Sequence, residues 1–557
     1  MPISPPADRG LVSRRAVALI FAITSALLLY VYGPLVVADP ILARDDRSML
    51  NGVRSLSSPL DWFPAVRALH VLDLQPLRDA SIALDLKVSA LLGHGTFHAT
   101  NLLLWFAIAL LAFLLFRRVA NERLALAALP LFALHPLFVG SVGWISARKH
   151  LLACLFILAA TLLLLRAADR DRAGLRNRSV VLSALLYSLA MSSQPISLLW
   201  PLWALGAAIL FWPQEWKRIA SRQAWPWLVP MAFAAAANGY YYSKIYSGLG
   251  AQKLVEGTLA DRVLSLGRYA ANLSGLAPLA AQYSPASTWN LVGLLLLPIA
   301  AWLLIRKAPR PALLWLSFAA LPLLLVTVKM TNIFVSDSYA LITGVGGFCA
   351  LLSVLATCGP RLERLGAIVL LVLAIPATWK ASRQARTWMS DDALWAHAAG
   401  VEPSPNSLIN CGGQLLAARR FSEARAVAER VLAWDPAQPQ LPLLYARATA
   451  SDESLPLPER ISRLERGPAS PWKDYFLGSL RARAGDFSSA ANDYQRALTQ
   501  PAVFKAELSI VAAEAHVLCR RTNAAPAGCD AAIDALRPLP DWSETRFQQR
   551  LRALQPH

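Results

Sequence analysis

The chain has 557 residues, of which 56% are hydrophobic and only 16% charged, with a formal net charge of +19 and a mean hydropathy of +0.42. Soluble domains are about a quarter charged, so disorder, a coiled coil and an ordinary soluble enzyme are excluded, and a polytopic membrane protein is indicated. Nor is the positive charge a nucleic-acid footprint. Residues 381–557 hold 21 Lys and Arg against 19 Asp and Glu, so nearly all the excess lies between the apolar runs of residues 1–380, as the positive-inside rule describes.

The first apolar run, 16–38, follows Arg14 and Arg15. It is longer than a signal-peptide core and has no small-residue cleavage pattern, so it reads as a retained anchor. Further spans are expected near 98–116, 124–140, 150–167, 179–193, 195–212, 226–243, 289–305, 311–328, 338–357 and 365–379, about eleven in all. Arg117, Arg118, Arg123, Arg306, Lys307, Arg310, Arg361 and Arg364 fall on alternate connections, which puts the N-terminus in the cytoplasm. An odd number of spans then puts the C-terminal tail outside.

Two outside loops are long, 39–97 and 244–288. The first is polar with short apolar stretches, and amphipathic helices on the membrane face are expected there. In the second, 263–282 is a twelfth span or an interfacial helix. The basic residues after 305 favour the interfacial reading, because another span would invert every later loop.

From about 385 the composition is that of a soluble helical domain. LINCGGQLLAARRFSEARAVAERVLAWDP carries Gly412, Ala424, Ala428 and Pro436, and FLGSLRARAGDFSSAANDYQRAL carries Gly478, Ala490, Tyr494 and Ala497. Ala424 and Ala490 are 66 apart, close to two tetratricopeptide repeats of about 34 residues. Domains are therefore expected at 1–384 and 385–557, the second all-helical with a concave binding surface. Cys519 and Cys529, ten apart in this tail, could form a disulfide in an oxidising compartment. No Cys/His cluster has zinc spacing and no metal site is expected.

Four groups carry the candidate chemistry, since charge at membrane depth or capping a bundle is costly unless used. Asp45 and Asp46 lie beyond the first span, where a carboxylate could act as general base on a hydroxyl, or be a solvated loop residue or a helix cap. Gln75, Arg78 and Asp79, with Asp85, follow in the same loop; Arg78 and Asp79 line a site or pair with each other. In HPLFVGSVGWISARKHLL, His135-Pro136 breaks a span, and Arg148, Lys149 and His150 sit at the outer face, suited to a phosphate. Lys329 is a second phosphate candidate, near Asp337 and Tyr339. No phosphate-binding glycine loop, dinucleotide fingerprint or serine-nucleophile motif is present.

The runs ALDLKVSALLGHGTFHATNLLLWFAIALLAFLLFRRV and LPLFALHPLFVGSVGWISARKHLLACLFILAA resemble the transmembrane and tetratricopeptide-repeat O-mannosyltransferases and their bacterial relatives. That resemblance implies a GT-C membrane fold. It also implies inverting transfer of a sugar from a polyprenyl-phosphate donor to a hydroxyl acceptor on the outer face, with no cofactor beyond the lipid-linked donor. The family's acidic pair would fall on Asp45-Asp46 and its phosphate-facing pair on Arg148-Lys149. The chain departs from the family at four places. Arg-Pro-Leu becomes Gln75-Pro76-Leu77, Glu after His-Pro becomes Gly140, Asp after Arg-Lys becomes His150, and Asp-Arg-Tyr becomes Asp337-Ser338-Tyr339.

Three functions follow as expectations. The first is a glycosyltransferase of a bacterial inner membrane whose repeats present an acceptor protein. The second is a degenerate membrane scaffold whose repeats bind a periplasmic partner. The third is a transporter, for which an inverted repeat between halves is missing.

Overall fold

The structure is a computed structural model that describes residues 12–37, 46–54, 74–167, 176–211, 225–248, 258–307, 309–328, 335–504, 507–522, 530, 533–539 and 541–554. Asp45, Lys329 and Cys529 lie outside these. All regular elements among the described residues are helices. The chain divides into two compact units, 1–402 and 403–557. The division falls after the composition change at 384/385, because the last long helix of the first unit runs to Thr387 and another, Asp391–Val401, belongs with it.

Among the described residues of the first unit, six helices are long and apolar enough to cross a membrane: Arg14–Val36 (α1), Phe97–Val119 (α4), Ile145–Arg166, Arg310–Thr327, Asp337–Leu355 and Pro360–Thr387. This composition marks a membrane protein. The third of these overlaps α7, Arg148–Ala167. A further candidate is a bent pair, Glu122–Ala133 (α5) and Pro136–Gly143, which turn 49° at their break. Pro136 supplies no amide hydrogen and disfavours the helical conformation of the residue before it. His135 is accordingly extended, and its Nδ1 accepts from the Leu137 amide at 3.3 Å. The expected break is therefore present, and the imidazole caps it. Arg178–Ser193, Pro195–Leu210 and Thr288–Pro298 are shorter apolar helices.

The segment between α1 and α4 contributes two described helices, Asp46–Arg54 (α2) and Pro76–Leu92 (α3). They pack through Met49, Leu50, Val53 and Ile82 onto Phe97 and Ile145. In the second loop, Leu259–Leu273 starts at a capping box of Thr258 and Asp261 and ends after 15 residues. At 1.5 Å per residue it falls short of a bilayer core of about 30 Å. It crosses Thr288–Lys307 where Gly267 meets Gly293 backbone to backbone, so no β-carbon fits at either. Small residues of this kind let membrane helices approach closely.

The second unit is a succession of paired helices: Pro405–Ala417, Phe421–Trp434, Leu441–Ser451, Leu457–Arg466, Pro471–Arg483, Phe487–Ala497, Leu508–Thr522 and Glu544–Leu554. Ala424, Ala428, Ala490 and Ala497 are fully buried. A β-carbon at Gly412 would stand 2.6 Å from Leu444, and one at Gly478 2.6 Å from Tyr494. The turns repeat as well. Arg420 N bonds Leu415 O at 2.8 Å and Asp486 N bonds Arg481 O at 3.0 Å, each around a left-handed residue, Arg419 or Gly485. These positions share the spacing of the alanines, so the two hairpins close with the same helix-ending turn.

Candidate functional site

The broken helix and the two loop helices bring charged side chains to the start of α7. Asp46, the first residue of α2, reaches across a hundred residues of sequence, and its Oδ1 accepts from the Ser146 amide at 2.8 Å. Ser146 lies in the tight turn Ile145–Ala147 that leads into α7. The carboxylate therefore caps a helix entrance, where exposed amides and the helix dipole favour an anion. Asp46 is fully buried.

Arg148 is fully buried and its guanidinium is engaged by the fold. It pairs with Asp85 at 2.6 Å, donates from Nε to Asn101 Oδ1 at 2.8 Å, and reaches the carbonyls of Ser81 and Phe97 at 3.3 and 2.7 Å. Asp85 also accepts from the Thr100 hydroxyl at 2.7 Å. Arg148 was expected to meet a phosphate; its donors instead tie α3, α4 and α7 together. Lys149, buried beside it, stands 5.9 Å from the Trp144 ring centroid. His150 meets Tyr339 edge to face at 4.8 Å, which joins this cluster to the short helix Asp337–Ala340.

Asp337 belongs to a second network. It accepts from Asn272 at 2.9 Å and from the Tyr283 hydroxyl at 2.7 Å. Arg268, fully buried, lies 4.1 Å over the Tyr283 ring. It bonds Asn272 at 2.9 Å, Ser287 at 3.0 Å and Glu402 at 2.6 Å. Lys380 donates to Gly275 O at 2.6 Å, and His135 Nε2 borders Gly275.

Of the loop residues, Arg78 pairs with Asp79 at 2.6 Å, both buried, which is the self-pairing alternative. Gln75, also buried, donates to Gln194 Oε1 at 2.9 Å. Gly140 and Gly143 face Trp388, which follows the last long helix. A β-carbon would lie 2.9 Å from its Cζ2 at position 140 and 2.8 Å from its Cβ at position 143. A side chain at 140, such as the family's Glu, therefore meets an indole already in place. A crevice of about 10 Å³ lined by Ile157, Ser197, Trp200, Trp203 and Ile342 has room for little more than one water.

Asp46, Arg148, Lys149, His150 and Tyr339 thus come together, with Asp337 beyond Tyr339. Gln75, with Gln194, and Arg78, with Asp79, form separate pairs. Sequence reading did not single out Asn101, Gln194, Asn272, Tyr283, Glu402 or Trp388. A polar Asn101 inside an apolar span was a usable signal; Glu402 and Trp388 gave none, since only the fold brings them here. Among the described residues no group of three His, Cys, Asp or Glu is placed to hold a metal.

These features define a multi-helix membrane protein with charged networks buried in its apolar unit. The chain matches no known family model, and no curated protein or solved structure is similar enough to count as a match.

Proposed function

We propose that the protein is a bacterial inner-membrane glycosyltransferase that moves a sugar from a polyprenyl phosphate to a hydroxyl acceptor, a protein, on the periplasmic face. The carrying observation is the Asp46–Ser146 contact, which sets a carboxylate from the first loop on the turn just before the helix that starts with Arg148, Lys149 and His150. Buried charge in an apolar bundle costs several kcal/mol per ion, so its concentration at one turn favours a working site over an anchor. In this reading Asp46, with Asp45 beside it in sequence, takes the acceptor proton. The acceptor oxygen bonds the anomeric carbon as the carbon–phosphate-oxygen bond breaks. The charge left on the lipid phosphate is met by Lys149 and Lys329. Arg148 positions the turn through Asp85, while His135, His150, Asp337 and Tyr339 line the site.

In this reading the six long helices, the bent pair, the three shorter apolar helices and the further helix Trp225–Gly248 are eleven spans of a GT-C-like bundle, with the C-terminal unit outside as tetratricopeptide repeats that hold the acceptor protein. Cys519 is disulfide-bonded, which fits an oxidising compartment. A second reading, a non-catalytic scaffold, is favoured by two observations. Arg148 is engaged within the fold, and Trp388 fills the space before Gly140.

Cells lacking the protein, complemented with wild type or Asp46→Asn, separate the two. Asparagine keeps an oxygen for Ser146 but cannot take a proton. A sugar-sized mass on surface or periplasmic proteins should disappear without the chain, return with wild type and stay absent with Asp46→Asn at equal membrane abundance. Unchanged masses, or full restoration by Asp46→Asn, overturn the enzyme reading in favour of the scaffold.

A further inference from the structure

The end of the first unit where α1, α5 and the last long helix, Pro360–Thr387, begin takes no part in the transfer step above. Polar contacts gather it. The Val12 amide donates to Glu122 Oε2 at 3.1 Å, Arg117 stands 3.9 Å from Glu122, and Arg123 pairs with Glu363 at 3.6 Å. Glu122 and Arg123 are consecutive, so the starts of α1 and of the last long helix are held at one place, and all three helices pack against one another. Glu122 and Glu363 are thereby engaged. Arg14 and Arg15 follow Val12 closely, and Arg361 and Arg364 flank Glu363; all four are exposed. No carboxylate among the described residues pairs with any of them. Positive charge concentrated in this way draws an anion.

Apolar rows continue from these arginines. Arg15, Leu19 and Ile23 recur every four residues along α1. Arg361, Leu365, Ile368 and Val372 recur at steps of four, three and four along the last long helix, so each set shares a face. The five aliphatic side chains are between 50% and 59% exposed, on helices long and apolar enough to cross a membrane. Further along the last helix Trp379 is 58% exposed, with Arg383 lying 4.8 Å over its ring, an amphipathic pairing suited to a membrane–water boundary. The rise from Arg361 to Trp379 is about 27 Å, close to the thickness of a hydrocarbon core. Arg361 and Arg364 therefore come at headgroup depth, with the apolar rows running inward from them. A soluble anion would use only the arginines and an uncharged lipid only the rows. A phosphate headgroup carrying acyl chains uses both.

We infer that this end of the first unit is a docking site for anionic phospholipid. Headgroup phosphates meet Arg14, Arg15, Arg361 and Arg364, and acyl chains lie along Leu19, Ile23, Leu365, Ile368 and Val372. The site is independent of the sugar-transfer reading and survives its failure.

The test is native mass spectrometry of delipidated full-length protein titrated with phosphatidylglycerol or with phosphatidylcholine of the same chains. Wild type should bind phosphatidylglycerol about ten-fold more tightly. Replacing Arg14, Arg15, Arg361 and Arg364 together by glutamine should reduce the preference to two-fold or less, written about 2, while lysine at the same positions keeps it. Glutamine at the exposed Arg430, Arg447, Arg483 and Arg552 of the second unit removes the same charge and should leave the preference intact. Should the quadruple variant misfold, Arg14→Gln with Arg15→Gln, and Arg361→Gln with Arg364→Gln, decide separately, each lowering the preference to about three-fold. Equal wild-type binding of the two lipids overturns the site. So does a preference that survives the four substitutions, or one that falls as far when only the second unit loses charge. Displacement of phosphatidylglycerol by millimolar inorganic phosphate overturns it too, because the arginines would then be reading a free anion.

Discussion

Arg148 in the first unit and Arg425 in the second each hold an aspartate, at 2.6 and 2.8 Å. Their settings differ. Arg148 and Asp85 are 0% and 7% exposed, and the guanidinium is shared with Asn101 and two carbonyls. Arg425 is 16% exposed and its Asp452 only 3%, but the guanidinium also bonds Glu429, and the string runs on to pairs at the helix surface such as Arg463 with Glu459. A buried pair cannot lose one member without stranding the other in a poor solvent, whereas water replaces a surface partner at little cost. The same residue types are therefore indispensable fasteners in one unit and interchangeable trimming in much of the other. Close packing in the second unit comes instead from small residues at Gly412, Ala424, Gly478 and Ala490.

The sharpest way to break this contrast is Arg148→Ala. It strands Asp85 among apolar helices and should cost about 3–5 kcal/mol, read as loss of monodisperse protein or a large fall in detergent melting temperature. Replacing both partners by leucine and methionine should recover much of the loss. If Arg148→Ala melts like wild type, the pair is not a fastener.

Next in size is Gly143→Ala, whose β-carbon would meet the main-chain end of the Trp388 side chain at 2.8 Å. Overpacking should cost about 1–3 kcal/mol. Gly140→Ala meets the indole's far edge and should cost less, and Trp388→Leu should relieve Gly140→Ala more than Gly143→Ala. Equal melting temperatures for all these variants would show that the indole does not wedge the broken helix.

Asp452 sharpens the picture within the second unit, where it is the one carboxylate of its ion-pair string that is nearly fully buried. Burial pushes its carboxyl upward, but Ser454 and Arg425 outweigh this and hold it below the usual aspartate value. A lowered folded value means stability that is present above the unfolded value near 3.8 and lost as pH falls below it. Asp452→Asn should therefore cost about 1–3 kcal/mol at neutral pH, and the difference from wild type should shrink as pH drops below 4. A pH-independent difference would assign the effect to packing. Smallest of all, Arg420→Ala and Glu423→Ala remove an exposed pair three residues apart and should leave the melting curve unchanged; a clear shift would contradict the division between the units.

The helical class, the apolar spans, the break at His135-Pro136 and the repeated small residues were legible in the sequence. Each rests on a local rule: hydropathy over one helix length, proline's missing donor, or a fixed spacing of glycine and alanine. The nearness of Asp46 to the Arg148 turn could be suspected only through a family resemblance, because a contact between residues 46 and 146 leaves no trace in either neighbourhood. The partners of Arg148 and Asp337 were less visible still. Composition and order along the chain determined by themselves that this protein is a helical membrane protein with a helical tail. Only the tertiary structure decided that Arg148 serves the fold rather than standing open to a ligand, that Trp388 fills the space before Gly140, and that Gln75 meets Gln194. Such choices depend on which distant side chain arrives first at a buried donor or void, and low-dielectric packing makes that arrival decisive.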